Sequence, residues 1–277
     1  MIFIFPHDYF DKHNPEEFYQ KEFELVENLN CEYVLIDFDK VLAKEDPFST
    51  TCEYNRELAV WRGWQMPSDT YSKFYDFATD HGLKLINIPN QYRACHELSN
   101  SYGRISRYSM STIFADFEKT TPSSVRNILE LLDAEKVFVK DTVKGQRDYP
   151  CIIEATDDDK TIQSKLDKLV ADRGDSFTGT FAFRRFVELK GETRFFILDG
   201  AIVGCGRHFS DFMAIKSSDA EKIATALGQK SRFFTVDMAL AVKTGETIVV
   251  ETGDGQVSEC PKGCREQVIR ALSRISE

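Results

Sequence analysis

Two carboxylates interrupt apolar, strand-like runs: Asp237 in FFTVDMALAV and Glu251 in TIVVETG. A three-residue loop Lys243-Thr244-Gly245, with Gly in the left-handed position, is a common hairpin connection. It makes opposing residue numbers sum to 488 and sets Asp237 directly opposite Glu251. A two-residue loop shifts the pairing by one and removes the opposition. Like charges directly opposed on neighbouring strands repel, so the opposed pair calls for a divalent cation. Hard oxygen ligands suit magnesium or manganese, with phosphate and water oxygens completing the shell. Asp254, three residues on in the glycine-rich TGDGQ, is a candidate third ligand.

A lysine at a strand end is usually just solvated. Lys140 closes the apolar KVFVK and is followed by a polar loop, DTVKGQRDYP, that holds Lys144, Gly145 and Arg147. A positive point charge beside free backbone N–H groups suits a polyphosphate. Farther on, a two-residue turn at Asp199-Gly200 makes opposing numbers sum to 399, so Glu192 faces Arg207 and Arg194 faces Cys205. Glu192, Arg194 and Arg207 then share one sheet face; a solvated cross-strand salt bridge needs no more than this. Taken in order, a strand lysine, a basic loop, a hairpin with arginine and a hairpin with opposed acids describe a two-sheet clamp on a nucleotide.

These groups need elements to hold them. MIFIF, CEYVLID, ELAVWRGW and LKLIN read as strands, separated by an amphipathic helix from about Pro15 to Leu29 and another from Ser68 or Asp69 to Gly82. Alternation of this kind predicts an open α/β layer over residues 1–115. Beyond it the texture changes. TTPSSVRNILELL carries a cap, a proline in the first turn and a 3.6-residue apolar repeat. KVFVK and CIIEA read as strands, about Asp157–Ala171 as a helix, then a run of antiparallel strands and a closing helix near Gly263–Ile275.

Composition narrows the class. The chain has 277 residues, 42% hydrophobic and 29% charged, with a net charge of −10, so a surface that coats nucleic acid is not expected. Residues 1–59 hold 14 acidic and five basic side chains, almost the whole excess. That is either a solvated face or a means of drawing in a cationic partner. No apolar run is long enough to span a membrane. The start lacks a basic leader region, and seven scattered cysteines suit a reducing cytoplasm. Cys260 and Cys264 make at most half a zinc site.

Together these motifs resemble the ATP-grasp superfamily, in the branch close to ribosomal-protein glutamate ligases. The likeness covers about Asp116–Glu277, and the preceding unit is similar to a pre-ATP-grasp domain. It implies an α/β (α+β) ATP-grasp fold, with residues 1–115 as the small first domain and 116–277 as the clamp. It also implies roles. Lys119 in ADFEKTTP and Lys140 in VFVKD resemble the family's two nucleotide lysines, and the loop bearing Lys144 resembles its phosphate cover. RRFVEL resembles the adenine hinge, where the backbone of Phe186, Val187, Glu188 and Leu189 holds the base and Glu188 meets the ribose. Arg194 resembles the arginine at the terminal phosphate, with Arg207 beside it, and Asp237 and Glu251 resemble the acidic metal ligands. Many members carry Glu-x-Asn at the metal; here Thr252 and Gly253 follow Glu251, and Asp254 stands in for the asparagine.

The implied activity is ATP-dependent joining of a carboxylate to an amine through an acyl phosphate, with ATP and Mg2+ (or Mn2+) as cofactors. Lys140, Arg194 and Arg207 neutralise the moving phosphoryl group. An ATP-dependent small-molecule kinase and a non-catalytic ATP-binding module are the alternatives. The expected partner is a small-molecule, amino-acid or peptide substrate, with no nucleic acid and no membrane. Its site is expected where the two units meet. There Arg62, between Trp61 and Trp64, orients a carboxylate, and Arg93 near His96 is a second candidate.

Overall fold

Three four-stranded sheets carry the chain in the computed structural model, which describes residues 1–48, 54–143, 151–207, 215–227, 231–261 and 263–275. The first sheet is parallel, in the order β2 (Tyr33–Ile36), β1 (Ile2–Pro6), β3 (Glu57–Trp61), β4 (Leu83–Leu85). A parallel strand between helical layers is buried on both faces, which is why β1 is a continuous apolar run. Phe3 and Phe5 face α1 (Gln20–Asn28), and Ile2 and Ile4 face α3 (Ser68–Asp80). Gly82 ends α3 at φ +77°, where an added Cβ would lie 1.8 Å from the Tyr54 carbonyl oxygen. Between the strands lies α2 (Phe38–Ala43); α4 (Pro89–His96) and α5 (Leu98–Ile105) follow β4.

The second sheet is antiparallel, in the order β5 (Thr112–Asp116), β8 (Thr180–Arg185), β6 (Lys136–Asp141), β7 (Cys151–Glu154). Helices α6 (Pro122–Leu131) and α7 (Asp159–Arg173) cover one face through Val137, Val139, Phe181 and Phe183. With period two, Phe138, Lys140, Ala182 and Arg184 point the other way. TIFAD, not expected as a strand, is β5. It pairs with β8, so the second unit's sheet begins at Thr112, four residues before the boundary read from the sequence.

The third sheet, also antiparallel, runs β10 (Ala201–Arg207), β9 (Leu189–Leu198), β11 (Phe233–Ala241), β12 (Thr247–Asp254), flanked by α8 (Ser217–Leu227) and α9 (Arg265–Ser273). Gly204 and Gly206 let α9 lie close on β10; a Cβ at either would clash with Val268 or Pro261.

Both expected registers change. Asp199 and Gly200 form the two-residue turn with φ +48° and +85°, and Ala201 pairs with Leu198. An irregularity between Ile202 and Gly204 then slips the pairing, so Arg194 faces Gly206 and Arg207 faces Thr193. In the other hairpin the loop is one residue longer than expected, because Ala241 N–H bonds the Glu246 carbonyl. An irregularity between Asp237 and Met238 undoes that shift, and Asp237 does stand opposite Glu251. Two errors of opposite sign cancel at the one pair that matters.

The first unit is locked to the third sheet. Phe3, Phe23 and Val26 share a core with Phe196, Val268 and Leu272. Asn87, fully buried, donates to the Phe233 carbonyl and to Asp254, and accepts from the backbone N–H groups of Arg232 and Phe233. Removing a side chain that satisfies four buried partners costs about 2–4 kcal/mol. Asn87→Ala is therefore expected to lower the melting temperature by several degrees in a thermal scan.

Candidate active site

Arg194 on β9, Asp237 on β11 and Glu251 on β12 form one row across the third sheet, each directly opposite the next. The row faces a cavity of about 600 Å³ bounded by the second sheet and the first unit. Arg194 clasps Asp237 with two bonds, Nε to Oδ1 at 2.8 Å and Nη2 to Oδ2 at 2.7 Å. From the facing sheet Lys140, only 3% exposed, donates to Glu251 Oε2 at 2.6 Å. Burial alone would raise the Glu251 carboxyl, but Lys140, then Arg194 and Arg184, pull it down to about 2. The sequence had implied bare repulsion between the two acids; each has in fact a cation of its own.

A third cation was missed. Arg184 on β8 is 1% exposed and lines the cavity. Its Nη1 donates to the Val250 carbonyl and Nη2 to Ser109 Oγ, both at 2.7 Å, while Nε is buried with no partner among the described residues. Burial lowers its guanidinium to about 10 against the pull of Glu251. The signal was there: in FAFRRF Phe181 and Phe183 face the helices, so alternation sends Ala182 and Arg184 to the cavity side.

Glu192 also lines the cavity, and does not face Arg207. Burial first, then the charges of Asp237 and Glu251, push its carboxyl up to about 7. The folded protein thus holds a proton that the unfolded chain releases, and stability is lost as pH rises from about 4.5 through 7. In magnesium-free buffer, Glu192→Gln is expected to gain up to about 3 kcal/mol at pH 8 and nothing near pH 4. Thermal scans at the two pH values measure the difference.

Several expectations need correcting. Arg62, 1% exposed, is no substrate anchor: it donates twice to Glu22 and to the carbonyls of Gly255, Gln256 and Ser258. It fastens the first unit to the segment after β12. Asp254 is not beside the acid pair. Three residues along a strand reverses the face, and its carboxylate is buried against Asn87 and Gln256, with burial raising it to about 6. Lys119 does not line the cavity; its side chain is 83% exposed and pairs with Asp116. Arg207 lies on the sheet face opposite Arg194 by register. Arg93 is exposed on α4 and does not line the cavity, whereas His96 on the same helix is buried and does. Lys144, Gly145 and Arg147 lie outside the described residues.

The segment Phe186–Glu188 joins β8 of the second sheet to β9 of the third, the position of a hinge. Phe186 N–H donates to the Lys136 carbonyl and the Glu188 carbonyl accepts from Val242 N–H, which ties the crossing to both sheets; Leu189 begins β9. Phe18, Tyr19 and Trp64 of the first unit also line the cavity, while Trp61 is core.

The donor set fits a hard divalent cation: two adjacent carboxylates in a cavity that also presents three cationic side chains for an anionic ligand. No group of three or more His, Cys, Asp or Glu among the described residues is placed to hold a metal ion, so other oxygens must complete a metal's shell. Magnesium commonly takes one or two carboxylates together with phosphates and water. No helix among those residues is long and apolar enough to cross a membrane.

The model of an ATP-grasp domain, family 3 of the RimK-related clade, matches residues 112–272. No curated protein matches the chain by sequence. Among solved structures, D-cycloserine synthetase DcsG is similar at TM-score 0.67 and 16% identity, over 99% of both chains. A RimK domain protein ATP-grasp from Sphaerobacter thermophilus follows at TM-score 0.64 and 10% identity, over 98% of this chain and 95% of that one. The ATP-grasp ligase PsnB, solved with a minimal precursor, Mg and ADP, gives TM-score 0.60 and 12% identity, over 98% and 96%. At such identities the likeness is one of fold.

Proposed function

The chain belongs to family 3 of the RimK-related clade of ATP-grasp domains and is an ATP-grasp ligase, and from that premise we propose that it joins a carboxylate to an amine at the expense of ATP. The observation that carries this reading is the row Arg194–Asp237–Glu251 with Lys140 reaching it from the facing sheet. Polyphosphate bound between the sheets, with the adenine at the Phe186–Leu189 crossing, brings its terminal phosphate to that row. Lys140 and Arg194 then turn from their carboxylates to phosphate oxygens. Asp237 and Glu251 would hold magnesium, which supplies further neutralisation of phosphate charge.

A substrate carboxylate oxygen attacks the terminal phosphorus and ADP departs with the bond's electron pair, leaving an acyl phosphate. The amine nitrogen then attacks the acyl carbon, phosphate leaves and the amine gives up a proton. Charge on the transferring group is met by Lys140, Arg194 and Arg184, so the protein acts mostly by positioning and electrostatics. The sheets exclude water from an intermediate that water destroys. The carboxylate and amine are proposed to come from small molecules, amino acids or a peptide, the kinds of ligand whose names accompany DcsG and PsnB.

Hydroxylamine captures acyl phosphates as hydroxamates. With Mg-ATP, hydroxylamine and each of the twenty amino acids as carboxylate donors, a ligase forms hydroxamate, ADP and phosphate in equal amounts. ADP with phosphate retained on the product would identify a kinase instead, and AMP with pyrophosphate would refute the acyl phosphate.

A further inference from the structure

Strand β6 ends in Lys140 and Asp141. Lys140 reaches the acid row, so alternation along the strand turns Asp141 to the opposite face, the one that α6 and α7 cover. The Asp141 side chain is wholly buried, and three donors close on it. Thr142 N–H donates to Oδ1 at 2.6 Å, the Thr178 hydroxyl donates to the same oxygen, and Arg173 Nε donates to Oδ2 at 2.9 Å. Arg173 is the last residue of α7, and Thr178 lies two residues before β8. A second tie follows at once. The Thr142 carbonyl accepts at 2.7 Å from the N–H of Leu98, the first residue of α5 in the first unit. The chain just past Lys140 is thus fixed to α7, to the approach to β8 and to the first unit.

Burying a carboxylate costs desolvation that an apolar side chain would not incur, and a buried ion pair seldom repays it in stability. What donors from separate elements do supply is a fixed position. The position that matters belongs to the preceding residue, whose ammonium crosses from the second sheet to Glu251 Oε2 on the third at 2.6 Å. A strand end free to shift by about 1 Å would carry that ammonium off the transferring phosphoryl group, and a misplacement of that size costs about 10²-fold in rate. Resting on the ligase reading, we infer that Asp141 is a positioning residue for phosphoryl transfer, holding the end of β6 so that Lys140 meets the charge that develops there. Asp141 does not line the cavity, so it acts through Lys140 and not on the nucleotide.

Asp141→Ala is expected to lower kcat for ADP release about 10²-fold and to leave KM for ATP within about twofold. Circular dichroism and a thermal scan establish that the variant is folded at the assay temperature. A side chain that merely supported the fold would lower the melting temperature and leave kcat of the folded protein near the parent's. The sharper comparison uses the Lys140→Met background. With the ammonium gone its position no longer counts, so Asp141→Ala is expected to change kcat there by less than about threefold, whereas independent effects would multiply. If Asp141→Ala does not fold, Asp141→Asn is read in the same two backgrounds. It keeps an oxygen for Thr142 and Thr178 and loses the charge opposite Arg173, and a loss of about tenfold is expected from it. A folded single variant within about threefold of the parent, or a further loss beyond about threefold in the Lys140→Met background, would overturn the inference. ADP release without hydroxamate would remove the ligase reading and leave the role of Asp141; hydroxamate formed by the single variant at the parent's rate would do the reverse. A parent that releases no ADP with any of the twenty amino acids would overturn both.

Discussion

Replacing Lys140 by methionine is expected to lower ATP turnover by about 10³-fold, mainly in kcat. Methionine keeps the volume and the apolar stem but removes the charge. Lys140 is a cation from the second sheet that touches the acid row of the third, so its ammonium lies where charge accumulates as the phosphoryl group transfers. Interactions that strengthen in the transition state lower kcat when lost; those equal in both states raise KM alone. Initial rates of ADP release across ATP concentrations separate the two. A variant within tenfold of the parent would mean that Lys140 serves only to neutralise Glu251.

Glu251→Gln is expected to abolish turnover and also to destabilise the metal-free protein. The side chain contributes one of two adjacent acids, and without it Asp237 alone faces the cavity from this row. It also leaves Lys140 buried without its carboxylate. Breaking a buried pair from one side costs about 3–5 kcal/mol; Glu251 is about a third exposed and partly screened, so about 2 kcal/mol is expected here. That corresponds to a fall in melting temperature of about 4–8 °C for a chain of this size. The double variant Lys140→Met/Glu251→Gln removes both charges and is expected to recover most of the loss, the coupling that a double-mutant cycle measures. A single variant as stable as the parent would separate Glu251 from Lys140 and undo the pairing.

The sequence carried the clamp because its signals are local. Thr121-Pro122 starts α6 and Asp199-Gly200 turns β9 into β10. An acid in the middle of each of two apolar strands marks the row. What it could not carry is what extra residues do to register. The irregularities near Val203 and Val250 leave no mark in composition, yet one removes Arg207 from the site and the other restores Asp237 opposite Glu251. Long-range partners were equally hidden. Arg62 between tryptophans looks like an anchor until Glu22, 40 positions earlier, and the carbonyls near Gln256 occupy its guanidinium. Asp254 in the glycine-rich TGDGQ looks like a ligand, but β12 runs through to it and turns it to the other face. Arg184 was legible by alternation and went unread.

Nucleotide phosphates and a divalent cation are expected to meet at the Asp237–Glu251 pair, and manganese makes that visible. Anomalous scattering from crystals grown with Mn2+ and the non-hydrolysable AMPPNP places the metal without reference to the protein density. A peak is expected at about 2.0–2.2 Å from carboxylate oxygens of both Asp237 and Glu251, with Lys140 and Arg194 turned to phosphate oxygens. A peak elsewhere, with Arg194 still clasping Asp237 and Lys140 still on Glu251, would contradict it.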